Sequence, residues 1–344
     1  MTSQDDPRSF IRSLITRSWS TQVIHAAVKL GIVDAAADTP VRAHEVARGT
    51  DTDPRSVHRL LRALCALGLA RALEGEAFEL TAAGRLLASS APGSLRSLAL
   101  HWGGRTWNGL AHLPESIRTG RPWAHGGREG FAAMAEKPAE AALFNRAMVD
   151  QTLAVAHDIV AAYDFAPFHR VFDVGGGYGA LLAVVLGAYP HLEGASLDLP
   201  YMEPQAVEYL REAGVADRAR FRGCDFFVSV PAGADCYLLK FIIHDWDDED
   251  SVMILRRSSE AAGAAGVILV IEQLVPERIE PRAEHEAVIR GDINMMAVTG
   301  GRERTRAEYE ELFGRAGLAL SRVVASRSGF SIIEGRGLKS PRSD

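Results

Sequence analysis

Apolar residues recur at helical spacing from Phe10 to about Ala36, at Ile11, Leu14, Ile15, Trp19, Val23, Ala26, Ala27 and Leu30, and predict a helix that Gly31 can stop. A denser pattern follows. Ala43–Ala47 predicts a short helix, Asp51–Ser56 a turn and cap, and Val57–Leu67 an amphipathic helix ending at Gly68. Leu69–Leu73 and Ala77–Leu80 then predict a hairpin around Glu74-Gly75-Glu76. Helix, helix and two-stranded wing together make a winged helix-turn-helix. Leu95–Gly120, with Trp102, Trp107 and Pro114, reads as helix and loop, Ala139–Tyr163 as a long helix, and Asp164–His169 as a linker.

From Arg170 the pattern changes to short apolar runs alternating with helical ones. The predicted strands are Val171–Val174, Glu193–Leu197, Ala219–Arg222, Cys236–Lys240, Gly266–Glu272, Leu320–Ala325 and Phe330–Glu334. Regular β-α alternation predicts a parallel sheet with helices on both faces. The expected fold is therefore α/β: a Rossmann-like C-terminal sheet behind a mainly helical N-terminal part.

Composition narrows the function classes. The 344 residues suffice for two domains, and 47% hydrophobic with 24% charged residues is ordinary for a soluble globular protein. Arg55, His58, Arg59 and Arg62 on the Val57–Leu67 helix and its cap could face DNA phosphates, but the net charge of −6 argues against a nucleic-acid partner, and the same module serves packing or dimerisation. Cys65, Cys224 and Cys236 are widely spaced and odd in number, as for reduced thiols in the cytoplasm. The polar start, Met1-Thr-Ser-Gln-Asp-Asp-Pro7, is not a signal peptide, no apolar run is long enough to span a membrane, and 339–344 reads as a flexible tail.

The stretch Val171-Phe-Asp-Val-Gly-Gly-Gly-Tyr-Gly179 carries the chemistry. A buried strand runs into a glycine turn, and a helix begins at Ala180, an order that builds a ligand site at the carboxyl end of a strand. Asp198, about twenty residues beyond the glycines, suits a ribose diol. NAD and S-adenosylmethionine both meet these terms. Three features favour the second: Asp173 inside the strand can meet a cationic amine, the glycines lack the spaced dinucleotide pattern, and Gly223-Cys-Asp-Phe-Phe227 offers Asp225 to an adenine amino group and aromatics to its ring. His244-Asp245-Trp246 follows a predicted strand at the same edge. Methyl transfer from a sulfonium is an in-line displacement that needs the acceptor placed and its proton removed, work an imidazole can do.

With these motifs, and with Leu239-Lys-Phe-Ile-Ile-His-Asp-Trp246 and Gly300-Gly-Arg-Glu-Arg-Thr305, the chain resembles class I S-adenosylmethionine-dependent methyltransferases. Within that class it is similar to the caffeate-type, acetylserotonin-type and bacterial natural-product O-methyltransferases over nearly its whole length. The resemblance implies that Asp173, Gly175, Gly177, Asp198 and Leu199 bind the cofactor, with Asp225 and Phe226 at its adenine and Lys240 nearby. It implies His244 as general base, oriented by Glu272 and Glu303, and S-adenosylhomocysteine as coproduct. Phe144, Met148, Gln151 and Asn294 fall where the family touches its acceptor, although the first three also share a helix face as ordinary packing would place them.

The implied protein is a homodimer joined through its N-terminal domain, acting on a hydroxyl of an aromatic secondary metabolite of the kind met in antibiotic biosynthesis, with no membrane and no nucleic acid involved. Expected domains are 1–95 for dimerisation, 96–165 as a helical connector, 166–338 as the catalytic domain and 339–344 as the tail. No metal is expected: His244 and Asp245 would need a third ligand, and His285 is a remote candidate. The alternatives are N- or C-methylation, a relative that uses the same fold without methyl transfer, and a winged-helix regulator.

Overall fold

The computed structural model describes residues 6–123 and 126–338, so the tail expected at 339–344 and the polar start at 1–5 lie outside the described residues. It divides into two compact units. One comprises residues up to Asn108 with Ala142–Asp150, and the other Gly109–Ala141 with the chain from Gln151 onward, so the expected 96–165 connector is shared between them.

In the first unit the long helix predicted from Phe10 is three helices, Pro7–Thr16, Trp19–Lys29 and Ile32–Ala35. Apolar periodicity continues across the breaks, which is why the sequence reads as one element; Gly31, at φ 72°, sets the second break. Asp6 accepts from the amides of Arg8 and Ser9 and caps the first helix. The helices Ala43–Thr50 and Pro54–Ala66 follow. In the latter, Val57, Leu61 and Leu64 are buried at i, i+4 and i+7, while Arg55, Arg59 and Arg62 stay exposed. The predicted hairpin forms from β2 (Ala70–Ala72) and β3 (Ala77–Leu80), and a two-residue strand, β1 (Val41–Arg42), pairs antiparallel with β3. The sequence gives no sign of β1, because two residues carry no periodicity.

The second unit holds a seven-stranded sheet of order β6-β5-β4-β7-β8-β10-β9. Its strands are β4 (Arg170–Val174), β5 (Glu193–Asp198), β6 (Ala219–Gly223), β7 (Cys236–Lys240), β8 (Val267–Glu272), β9 (Leu318–Ala325) and β10 (Ser331–Gly337). The first five pair in parallel. The expectation of a parallel sheet needs correction at its end, where β10 runs antiparallel to both β8 and β9. Only five residues separate β9 from β10, enough for a hairpin and far too few for a parallel crossover.

Both faces are covered. Val171, Leu238 and Ile271 point into one buried cluster with Phe165, Leu182 and Leu186, while Phe172, Tyr237 and Val270 point into another with Ile254, Leu255 and Phe313. Period-two alternation thus feeds two cores, and central β7 and β8 read as near-continuous apolar runs. The chain order turns between β4 and β7, which opens a crevice beyond their carboxyl ends, the place where open α/β sheets bind ligands. Among the described residues no helix is long and apolar enough to cross a membrane.

Candidate active site

The glycine turn leaves β4 at that crevice. Gly175, Gly177 and Gly179 all have positive φ, at 69°, 56° and 84°. At Gly175 space also matters: a Cβ there would lie 2.3 Å from Ile242 Cδ1 and 3.4 Å from Phe226 Cε1. The Gly175 amide donates to Leu197 O at 2.7 Å, and the Gly177 amide to Asp198 Oδ2 at 2.8 Å, so β5 fixes the turn. The Leu199 amide donates to Asp198 Oδ1 at 2.7 Å. Burial pushes the Asp198 carboxyl up to about 6, against these two backbone hydrogen bonds, which favour the charged form.

The other predicted cofactor residues lie around this turn. Phe226 packs edge-on against Phe227 and Trp246, with centroids at 4.9 and 5.9 Å. Asp225 is exposed, and its Oδ1 accepts from the Phe227 amide at 2.9 Å, so part of its capacity serves its own turn. Asp173 is 2% exposed in β4. Lys240, at the end of neighbouring β7, holds its ammonium 3.6 Å from the Phe241 ring centroid. Burial drives the Asp173 carboxyl up and the Lys240 ammonium down, and the opposite charge of each resists the other's shift. A glycine turn, a buried acid and an aromatic ring beside it could hold an adenosine-bearing ligand such as S-adenosylmethionine.

The second half of the site is an acid–base cluster. His244 sits in the short turn Ile243–Asp245 directly after β7. Glu272 is the last residue of β8, and its Oε1 accepts from the amides of Ile242, Ile243 and His244 at 3.0, 3.1 and 3.4 Å. Its Oε2 lies 3.3 Å from His244 Nδ1. Glu303 Oε1 lies 2.9 Å from the same nitrogen. Both carboxylates therefore lie within ion-pair distance of Nδ1, where each favours a proton on the ring. Glu303 holds the ring, whereas Glu272 holds chiefly the backbone of the turn.

Burial opposes a charge on His244, but the Glu272 and Glu303 carboxylates outweigh it and raise the imidazole to about 10. Burial also lifts the Glu272 carboxyl above its ordinary range. Protons on these neighbours belong to the cluster rather than to one residue. The three residues could offer ligand atoms within 4.8 Å of one another. His285, the remote metal candidate, uses its Nδ1 to accept from the Glu280 amide at 2.9 Å.

Asn294, in the Ala283–Val298 helix, has a buried Oδ1 with no hydrogen-bond partner among the described residues. Phe144 and Met148 belong to the first unit, where Phe144 meets His101 edge-on at 5.6 Å, and Gln151 opens the second stretch of the other unit; all three are half-buried. Two further contributors were not singled out from sequence. Phe241 lies face to face with the His244 ring at 5.5 Å and has φ 57°, an uncommon backbone for a bulky residue. Asp292 Oδ1 accepts from the Glu303 amide at 2.9 Å. Phe241 sits inside the His-Asp-Trp motif and Asp292 two residues before Asn294, so proximity to motif residues was the only signal.

A glycine turn at the switch point of a Rossmann-like sheet, with a carboxylate-braced histidine in the turn after the adjoining strand, is an arrangement suited to a methyltransferase. Residues 107–319 match the O-methyltransferase domain and residues 13–90 the O-methyltransferase dimerisation domain. The chain belongs to this O-methyltransferase family and is S-adenosylmethionine-dependent. It is 38% identical over 330 residues to phenazine O-methyltransferase PhzM of Lysobacter antibioticus, covering 95% of this chain and 96% of that protein. Among solved structures, that of LaPhzM superposes with a TM-score of 0.92 at 36% identity, covering 97% of this chain and 100% of the other. NcsB1, an O-methyltransferase from neocarzinostatin biosynthesis solved with S-adenosylmethionine and 2-hydroxy-5-methyl naphthoic acid, matches with a TM-score of 0.78 at 34% identity, covering 93% and 96%.

Proposed function

We propose that the protein methylates a phenolic hydroxyl of an aromatic secondary metabolite, with His244 as general base. The observation that carries this reading is the placement of both carboxylates within 3.3 Å of His244 Nδ1, which raises the proton affinity of the ring at the ligand edge of the sheet. When bound, S-adenosylmethionine would supply an already electrophilic methyl group, with S-adenosylhomocysteine as the leaving group, so the transfer would need no Lewis acid. His244 Nε2 takes the hydroxyl proton while the oxygen attacks in line, and Glu303 and Glu272 stabilise the imidazolium that results. A free imidazole near 6.5 is a weak base for a phenol near 10; the raised proton affinity of His244 brings the two close to balance.

Asp198 and Leu199, with Gly175 and Gly177, hold the ribose side, Asp225 and Phe226 the adenine, and Asp173 and Lys240 the charged end of the cofactor. The orphaned amide oxygen of Asn294 takes a hydrogen bond from the acceptor. An aromatic acceptor is supported by the phenazine and naphthoate named for the relatives. The dimerisation domain supports a homodimer, with residues 1–95 as its core, 96–165 as connector and 166–338 as the catalytic part. Free Cys65, Cys224 and Cys236 are consistent with a cytoplasmic setting.

The deciding experiment incubates the purified protein with S-adenosylmethionine and a panel of phenols and aromatic amines, read by mass spectrometry. A phenol heavier by one methyl is expected. Methylation of amines alone would replace O- by N-transfer, and no methylated product with any acceptor would overturn the reading.

A further inference from the structure

Arg304 is the largest fully buried side chain among the described residues, at 0% exposure. Its guanidinium is not simply paired with an acid. Nη1 donates to Ile243 O at 3.0 Å and Nη2 to Trp246 O at 2.8 Å, the carbonyls that flank His244 on either side of its turn. Nε and Nη2 also reach Asp248 Oδ1 at 3.1 and 2.8 Å. The backbone of Arg304 is tied to the extension of β8, because its carbonyl accepts from the Val275 amide at 3.0 Å and it forms a parallel bridge with Leu274. Its neighbour Glu303 supplies the carboxylate on His244 Nδ1. Gly301 closes the arrangement: a Cβ there would lie 2.0 Å from His244 O, so this loop and the His244 turn are packed backbone to backbone.

One residue thus connects the three elements that bear His244, Glu272 and Glu303. We propose that Arg304 is a positioning residue which sets the register of His244 against the two carboxylates, an inference that rests on His244 being the base. Only a planar fork reaches two carbonyls and a carboxylate at once; a lysine ammonium keeps the charge but presents its donors from a single point. Release of the turn would let the ring drift from Glu303, and a displacement on the order of 1 Å in such a constellation costs about a hundredfold in rate.

The test is a double-mutant cycle of Arg304→Lys and His244→Ala, with kcat, acceptor KM, pH profile, thermal melting and calorimetric S-adenosylmethionine binding measured for each variant. In otherwise wild-type protein, Arg304→Lys should bind cofactor normally, lose roughly ten- to a hundredfold in kcat with little change in KM, and move the ascending limb of its pH profile to lower pH. In the His244→Ala background the same substitution should change kcat by less than about twofold, because the group it positions is gone. A folded Arg304→Lys with full kcat overturns the proposal, as does an equal loss in the His244→Ala background, which would mark Arg304 as general scaffolding. Near-normal turnover of His244→Ala alone would overturn the base and Arg304 with it. If Arg304→Lys does not fold, Asp248→Asn decides the matter: its side chain is 37% exposed, and it should lower kcat only where His244 is present. Unchanged kcat in Asp248→Asn would then sink the idea.

Discussion

Glu303 Oε1 stands 2.9 Å from His244 Nδ1 across 59 residues of sequence, and the Glu303 amide is itself held at 2.9 Å by Asp292 Oδ1. The backbone that carries the carboxylate is thus anchored on the Ala283–Val298 helix. The pairing with His244 brings a buried carboxylate to the imidazole, and most of what can be tested about the site follows from it.

His244→Ala removes the proposed base and leaves the glycine turn untouched. Turnover should fall by roughly two to four decades, while calorimetry should show cofactor affinity within a factor of a few of wild type. Turnover near the wild-type level would show that the proton leaves by another route.

The carboxylates raise the imidazole, and a base must be unprotonated to act. Activity should therefore climb as pH rises through an alkaline His244 titration near 10, instead of levelling off above 6.5. Glu303→Gln removes one of the charges that stabilise the imidazolium, so the ascending limb of kcat/KM should shift to lower pH while the maximum falls. A limb that stays in place in this variant belongs to the acceptor's own hydroxyl.

On the cofactor side, Asp198→Asn keeps the shape of the side chain but loses the charge that two backbone amides hold. Calorimetry should show S-adenosylmethionine binding weakened by about tenfold or more, the scale of one charge-assisted hydrogen bond. Gly175→Ala should also weaken it, since its methyl group would lie 2.3 Å from Ile242 Cδ1 at a left-handed φ. Unaltered binding in both would remove the ribose assignment.

Glu334 tests stability away from the site. Burial would raise its carboxyl, but hydrogen bonds from Tyr163, Ser321, Arg336 and Arg322 overcome that and hold it down at about 2. The folded value lies below the ordinary 4.5 of an unfolded Glu. Its stabilisation is therefore complete above the unfolded value and disappears as pH falls through about 2. Glu334→Gln should cost about 2 kcal/mol at neutral pH, the scale of a buried charged hydrogen-bonded group, and should flatten the fall of Tm with acid across that window. An unchanged Tm at neutral pH would contradict this.

The strands of the catalytic sheet were legible to within three residues, most plainly β7 and β8, which are short apolar runs buried on both faces, while β6 and β9 at the edges are partly exposed. The parallel sense of β4–β8 was legible too, but that of the end strand was not. The antiparallel β10 reads like any other buried strand, and only the short connection from β9 decides its sense. The N-terminal helix was overextended for the converse reason, since its apolar stripe continues through two breaks that local backbone geometry makes.

By itself the sequence determined the strand and helix order, the glycine turn after β4, the acid at the end of β5 and the histidine after β7, because these depend on local spacing. It also carried the family resemblance that pointed to Glu272 and Glu303. Only the tertiary structure decided that both carboxylates meet one imidazole nitrogen, that Glu272 chiefly caps the turn, and that Arg304 lies fully buried against the carbonyls around His244. An arginine in a polar motif reads as a solvated charge, and burial is the exception for that residue type. The partners that make it possible come from chain segments far from Arg304 in sequence, and long-range pairing of this kind leaves no periodicity to read.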